Sequence, residues 1–423
     1  ILAQKYPYFF IDEAQDTSPE IIAAFNSLCA KNGLPVVGYF GDPMQQIYEK
    51  RAGSFAGPIG AVELTKVENY RCSPEVIALL NSFRGDVKQV AAGKNASVKG
   101  SVGITLVAAE APLGDRKRYT EEQSMRASQT FDKALEAWGW HEKNGVKQLF
   151  LVRQMIARRL GFSKIHQLFT GEFASTRAKD DYETGEHFLL KPFVAFICDL
   201  IKSKRSDDRR ELLRLLRIHS PAFDPTGENA TKKLGEMMTA AGTITQRLED
   251  IWGNGTVQEV LQFCAENKLI SVSKRLEGHL SRKPRGEKYD ASTHEADKED
   301  WLVDAVFAMT TEELEPFADF VRENTALSTQ HGVKGEEYKN VVVVFDDVDA
   351  AWNNYSFTKT LTPATSGSPT DGQLEKSRKL AYVCFSRAEE NLRVLLFTPD
   401  PSMAAKELVQ RGLFQESQIT FLS

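Results

Sequence analysis

The sequence predicts an α/β protein built on parallel sheet and interrupted by a long helical stretch in its second half. Two runs carry the α/β expectation. Tyr8-Phe9-Phe10-Ile11 is short and apolar and leads at once into Asp12-Glu13-Ala14-Gln15-Asp16. Pro35-Val36-Val37-Gly38-Tyr39-Phe40 leads in the same way into Gly41-Asp42-Pro43-Met44-Gln45-Gln46. Buried parallel strands look like this when they deliver polar side chains to their C-terminal edge, where open α/β sheets bind ligands. The helical expectation rests on residues 188–325, which keep helical periodicity and carry no strand pattern.

Length and composition bound the rest. A chain of 423 residues suggests roughly two to four domains. Its 42% hydrophobic and 26% charged residues are ordinary for a globular protein. No apolar run reaches the roughly 18 residues of a membrane span. The five cysteines are scattered, with no zinc-like spacing, so reduced thiols and a cytoplasmic setting are expected. A net charge of −5 means that any surface for nucleic acid has to be locally basic.

Taken in order, the first strand ends in adjacent carboxylates. One of these can hold Mg²⁺ through water, and the other can orient a water that attacks a γ-phosphate. Read alone, the same residues fit an acidic turn before a helix with Asp16 or Thr17 as N-cap and Pro19 in its first turn. The helix is expected over 19–30, closed by Lys31-Asn32-Gly33. After the second strand, Gln45 offers an amide that both donates and accepts, as a phosphate sensor requires. Next come Val67-Glu68-Asn69-Tyr70-Arg71-Cys72-Ser73-Pro74-Glu75 and a helical run to Phe83. Arg71 at such a junction can pair bidentately with phosphate, or be a surface arginine.

Strands are expected at 103–107 and 148–153, with a helix over 124–140 between them. Trp138 and Trp140 read as packing residues rather than stacking platforms. In the helical stretch the periodicity predicts helices over 188–202, 209–218, 230–251, 257–267 and 312–323. Residues 278–300 and 356–377 are polar and rich in turn formers, and are expected to be exposed loops. Two apolar strands follow, at 341–345 and 392–397.

Five ordered stretches carry a resemblance. Asp12-Glu13-Ala14-Gln15-Asp16, Gly41-Asp42-Pro43-Met44-Gln45-Gln46-Ile47-Tyr48 and Asn69-Tyr70-Arg71-Cys72-Ser73 resemble ATPase motifs II, III and IV of the UvrD/Rep/PcrA family of superfamily 1 DNA helicases. Ser328-Thr329-Gln330-His331-Gly332-Val333-Lys334-Gly335-Glu336-Glu337-Tyr338 resembles motif V, and Leu380-Ala381-Tyr382-Val383-Cys384-Phe385-Ser386-Arg387-Ala388 resembles motif VI. The resemblance implies two RecA-like P-loop NTPase motor domains, the first of them partial, with a mainly helical, 2B-like insertion in the second. The implied boundaries are 1–65 for the remnant of the first domain, 66–187 and 326–423 for the two parts of the second, and 188–325 for the insertion.

Residue by residue, the resemblance implies that Asp12 holds Mg²⁺, that Glu13 polarises the attacking water and that Gln45 couples the γ-phosphate of ATP to DNA movement. Arg71 and Arg387 would reach the γ-phosphate from the second domain. Gly335 and Glu337 would lie at the nucleotide, with Glu337 accepting from the ribose hydroxyls. Tyr48, Arg51, Thr329, His331 and Lys334 would lie along the DNA. The basic stretch 202–217 would face DNA, or be a solvated helix face. At Lys50 the family has an aromatic residue that stacks on a base, and lysine cannot do that. Glu336 stands in place of an apolar residue and Tyr338 in place of phenylalanine.

The implied function is ATP-dependent 3′→5′ translocation on single-stranded DNA with unwinding of duplex DNA. A family member normally has a phosphate-cradling loop ending in Gly-Lys-Ser/Thr upstream of motif II, and none occurs here. The expectation is that an N-terminal part carrying it is missing, and that this chain alone does not hydrolyse ATP. A second reading is a DNA-sensing subunit beside a nuclease partner, as in anti-phage systems such as Gabija, which use compact helicases of this kind. A non-hydrolysing DNA-binding module and a metal-dependent nuclease are weaker readings. The first leaves the joint presence of Asp12, Glu13, Gln45, Arg71 and Arg387 unexplained, and the second needs further carboxylates.

Overall fold

The computed structural model describes residues 2–32, 35–48, 50–53, 55–114, 118–141, 145–224 and 233–422. Gly33, expected to close the first helix, and the expected helix start at 230–232 lie outside the described residues. The chain forms two compact units, one from residues 1–155 with 326–423 and the other from residues 156–325.

Among the described residues, the first unit holds ten strands in three parallel sheets. Strands β1 (Tyr8–Ile11) and β2 (Val36–Tyr39) pair in parallel, as do the short β3 (Glu68–Asn69) and β4 (Val90–Ala91). The main sheet is made of β5 (Ser101–Ala108), β6 (Val146–Phe150), β7 (Leu327–Thr329), β8 (Tyr338–Phe345), β9 (Ala388–Thr398) and β10 (Ile419–Leu422). Its order is β10-β5-β9-β8-β6-β7, and every pair is parallel. The mixed α/β fold with a central parallel sheet thus agrees with the sequence.

The middle of this sheet is nearly dry. Val341, Val342, Val343, Leu392, Val394 and Leu395 have no exposed surface, as a parallel strand covered on both faces requires. One cover is the Asp371–Phe385 helix, started by a capping box in which Thr370 and Gln373 satisfy each other's backbone N–H groups. Another is the Pro74–Phe83 helix, with Pro74 in its first turn and Val76, Ile77, Leu80 and Phe83 buried. Trp138 donates to Thr105 Oγ1 at 3.0 Å, and Trp140 is buried beneath the Arg393 guanidinium, so both tryptophans pack.

The stretch 356–377 differs from the expected loop. Backbone N–H groups of Phe357 and Thr358, with the Ser356 hydroxyl, donate to Asp347, and Glu407 accepts from Ala364 and Thr365. Two buried carboxylates thereby order a segment whose composition reads as a loop.

Asp346, just after β8, has one oxygen capping Val348 and Asp349, while its buried Oδ2 has no hydrogen-bond partner among the described residues. Burial first, then the charge of Asp349, pushes its pKa from 3.8 up to about 8. Between those values the folded chain keeps a proton that the unfolded chain has released, so stability falls as pH rises through this window and stays low above it. Asp346→Asn removes the charged form. It is expected to stabilise the protein by about 1–3 kcal/mol near pH 9, with the gain shrinking toward pH 5, in urea unfolding followed across pH.

The second unit, residues 156–325, is helical among the described residues. Tyr182 is stacked between Phe169, 5.2 Å away, and Phe317, 5.3 Å away, with Phe169 and Tyr182 on two short helices of 156–187. The helices Arg209–His219, Leu234–Asn254, Val257–Glu266 and Leu314–Val321 follow the predicted periodicity. In the basic stretch, Lys202 pairs with Asp319, Arg205 with Glu315 and Arg214 with Glu211, the behaviour of a structural helix face.

The second expected loop, 278–300, is also tied down. Arg282 bonds Asp300 and Asp304, Arg285 bonds Asp300, and the His294 ring stacks on Trp301 at 4.6 Å. Most of the segment is exposed, as its composition suggested, and its charges pair with one another. Among the described residues no helix is long and apolar enough to cross a membrane.

Candidate functional site

The site is assembled at the ends of β1 and β2. Asp12 and Glu13 follow β1 directly, and Glu13 sits in the left-handed region at φ 49°, a conformation that costs a non-glycine residue roughly 1–2 kcal/mol. The local frame holds it there. Ala14 N donates to Phe40 O across the two strands, and the fully buried Gln15 donates through Nε2 to a Glu13 carboxylate oxygen. Gln15 Oε1 accepts from Asp42 N at 3.1 Å, which ties the two strand ends together. A Cβ at Gly41 would collide with that amide, so glycine is required by close approach. Ala52 N to Thr17 O and Gly53 N to Gln15 O then fasten the loop carrying Arg51 beside the first strand end.

A second set of residues closes on the first. Lys334 reaches an ion pair with Asp16, stands 3.7 Å from Glu13 Oε2 and lies 5.4 Å above the Tyr48 ring. Gly335 follows at φ +92°, which turns the chain so that Glu337 faces Arg71. Arg71 Nε donates to Glu337 Oε2 at 2.8 Å, and both side chains are partly exposed. Gln45, Asn69, Tyr70, Arg71, Glu337 and Tyr382 line a single polar cavity of about 440 Å³. Three of the residues singled out in the sequence, Gln45, Arg71 and Glu337, therefore share one wall-to-wall space.

Beneath Gln45 lies a polar network. Gln45 Nε2 donates to Asp42 Oδ2 at 3.3 Å, and the nearly buried Arg84 guanidinium bonds Asp42, Asp86 and the Tyr382 hydroxyl. Nothing in the sequence pointed to Arg84, since a lone arginine after a helix end has no periodic or motif signal. Tyr70, 58% exposed, turns its ring to the cavity with Gly93 against it, a platform that the sequence reading passed over.

Arg387 is not brought to the cavity. It has no exposed surface, and it donates to Val383 O, Glu336 O and Ser386 Oγ. Burial, then the nearby positive charge of Arg71, lowers its pKa to about 10, so it stays charged at neutral pH. Its geometry braces the chain at Glu336 against the helix ending at Phe385.

The expected DNA residues divide. Lys334 belongs to the acidic cluster just described. Thr329 Oγ1 accepts from Gly332 N within its own turn. His331 is largely enclosed, with Nε2 3.2 Å from the Tyr355 hydroxyl, and burial lowers its pKa. Tyr48 and Arg51 are exposed.

The donor chemistry fits the groups implied. Asp12 and Glu13 are exposed neighbouring carboxylates, as Mg²⁺ held through water requires. The cavity offers a guanidinium, an amide, a carboxylate and an exposed aromatic ring, which match phosphate, ribose and base. Among the described residues no group of three or more His, Cys, Asp and Glu is arranged to hold a metal ion.

Comparison with known proteins agrees. Residues 2–56 match the UvrD/REP helicase N-terminal domain. Over 437 residues the chain is 24% identical to the Gabija protein GajB of Bacillus cereus (strain HuB5-5), covering 93% of this chain and 59% of that protein. The chain thus spans 59% of the length of this curated relative.

Proposed function

We propose that this UvrD-like helicase chain forms the greater part of an ATP-driven motor that moves 3′→5′ on single-stranded DNA and separates duplex ahead of it. The observation that carries the reading is the convergence of Gln45, Arg71 and Glu337 on one polar cavity beside the Asp12–Glu13 strand end. Residues 1–65 would be the remnant of one RecA-like domain and 66–187 with 326–423 a second, with 188–325 as the inserted helical part.

Bound Mg²⁺·ATP supplies the phosphoryl group whose transfer to water drives the cycle. Asp12 would hold the metal through water, and Glu13 would take the proton of the attacking water. Gln45 senses the terminal phosphate and passes its presence to Asp42 and Arg84. Arg71 exchanges its Glu337 partner for a phosphate oxygen, which frees Glu337 for the ribose hydroxyls. Tyr70 offers its ring to the base. Arg387 acts as a brace that keeps Arg71 and Glu337 in register, a more modest part than direct phosphate contact.

A second reading is favoured by the similarity to the Gabija protein: the motor serves as the DNA-sensing subunit of a complex with a nuclease partner. ATP hydrolysis by the full-length natural protein, with and without single-stranded DNA, tests the motor. Stimulation of severalfold or more is expected, and no hydrolysis with any DNA would overturn it. Strand displacement then separates the readings, because a sensor hydrolyses ATP on DNA yet displaces little strand. These 423 residues, in which no loop ending in Gly-Lys-Ser/Thr occurs, are expected to be inactive on their own in the same assay.

A further inference from the structure

Gln89 lies outside every stretch that carries the family resemblance, yet it lines the same polar cavity as Gln45 and Arg71. Its carboxamide is engaged at both ends. Nε2 donates to the Tyr382 hydroxyl at 3.0 Å, and Oε1 accepts from Asn69 Nδ2 at 3.0 Å. Its backbone is held as firmly. Gln89 N donates to Asn81 Oδ1 at 2.8 Å, and Asn81 Nδ2 donates to Gln89 O at 2.9 Å. Asn81 stands on the Pro74–Phe83 helix, so the bridge is anchored to an element that covers the main sheet.

The two ends of this bridge lead to the two sides of the cavity. On one side the Tyr382 hydroxyl accepts from Gln89 and Arg84 and donates to Asp42 Oδ2, 3.4 Å away. The same Asp42 oxygen accepts from Gln45. On the other side Asn69 Oδ1 accepts from Arg71 N and Cys72 N, both at 2.9 Å, which fixes the turn that presents Arg71. Asn95 fastens that turn independently, donating through Nδ2 to the carbonyls of Tyr70 and Arg71.

The directions of these bonds agree. A hydroxyl has one proton to give, and that of Tyr382 goes to Asp42, so the Gln89 group that meets it is the amide nitrogen. The Gln89 oxygen then faces the Asn69 nitrogen, which leaves the Asn69 oxygen for the two backbone N–H groups. Turning Gln89 over would set two amide nitrogens against each other. Each amide therefore has one orientation that satisfies its neighbours.

We infer that Gln89 is a positioning residue for phosphoryl transfer: it fixes the Asn69 carboxamide, and through it the Arg71 loop, against the side of the cavity that holds Gln45. The inference rests on the reading of Arg71 as the group that meets the terminal phosphate. A guanidinium displaced by about 1 Å can cost on the order of a hundredfold in rate, so a residue acting only through its neighbours can still set kcat.

The test is steady-state ATP hydrolysis by the full-length natural protein at saturating single-stranded DNA. Gln89→Met keeps the length of the side chain and breaks both of its bonds. It is expected to lower kcat about tenfold, with KM for ATP within about twofold of wild type. In an Arg71→Ala background the same change is expected to do nothing more, because the group that Gln89 positions is already gone. Gln89→Glu still offers Asn69 an acceptor and can take the Tyr382 hydroxyl proton on its other oxygen, so kcat within about threefold of wild type is expected. A Gln89→Met loss of equal size with and without Arg71 would make the residue a structural support and overturn the inference. Wild-type kcat in Gln89→Met would overturn it too, with the motor reading intact. Should Gln89→Met not fold, a loss of tenfold or more in Gln89→Glu overturns it instead. If Arg71→Ala hydrolyses ATP like wild type, the phosphate role of Arg71 falls and the inference with it. If wild type hydrolyses no ATP with any DNA, the motor reading itself falls.

Discussion

Glu13→Gln is expected to abolish ATP hydrolysis by the full-length protein, a loss of about 10²–10⁴-fold, the range for removing a general base. The substitution keeps the shape of the side chain, so the left-handed backbone at φ 49° and the Ala14–Phe40 hydrogen bond have no reason to change. What disappears is the acceptor of the water's proton. Glutamine can still bond Gln15 and stand near Lys334, but it cannot bind a proton at neutral pH. The variant should therefore still bind single-stranded DNA and fluorescent nucleotide while turning over none. Steady-state phosphate release beside nucleotide anisotropy makes the comparison. A variant keeping more than about a tenth of the wild-type rate would remove Glu13 from the role of base. Asp12→Asn is expected to act differently, weakening the response to Mg²⁺ concentration, because it alters the metal's ligand and leaves the base in place.

β1 and β2 were legible from their short apolar runs, although the expected burial is not found, for Tyr8, Phe10 and Val36 are exposed in a sheet of only two strands among the described residues. β8 and β9 were visible for the same reason. The capped helix before Arg387 was not foreseen, since its first residues fell in the supposed loop at 356–377, and its motif told only that an arginine stands before an apolar strand. Which way that side chain turns depends on carbonyls at 336 and 383, which no local pattern encodes. The supposed loop at 356–377 failed for a different reason, while 278–300 is exposed as expected but tied by ion pairs. Polar composition reports affinity for water, but Asp347 and Glu407 accept backbone donors, and Arg282 and Arg285 find Asp300 and Asp304. Satisfied charges are indistinguishable in sequence from solvated ones. The stacking of Tyr182 on Phe317 in the helical unit joins residues far apart in the chain, which no local pattern shows.

Arg84 is the residue whose loss should most disturb both stability and coupling. All five of its N–H donors are engaged: Nη1 on Asp42 and the Tyr382 hydroxyl, Nη2 on Asp42 and Asp86, and Nε on Asp86. The guanidinium side chain is 5% exposed, and Asp42 is 19% exposed, so removing the cation leaves a poorly hydrated carboxylate beside Gln45. Arg84→Met is expected to cost about 3 kcal/mol in urea unfolding, the low end for breaking a buried pair, because Asp86 is half in water. Arg84→Lys keeps the charge but, with three donors at one point, cannot bridge two carboxylates and a hydroxyl. It should fold, yet lower DNA-stimulated kcat about tenfold with little change in KM for ATP, since Gln45 loses its anchored partner rather than its ligand. A double-mutant cycle of Arg84→Met with Asp42→Asn decides between coupling and mere packing. A double variant less damaged than the sum of the two singles means that the charge pair itself links the strand end at Gln45 to the helix bearing Tyr382. Strict additivity, together with wild-type DNA stimulation in Arg84→Lys, would make Arg84 a local staple with no part in the motor.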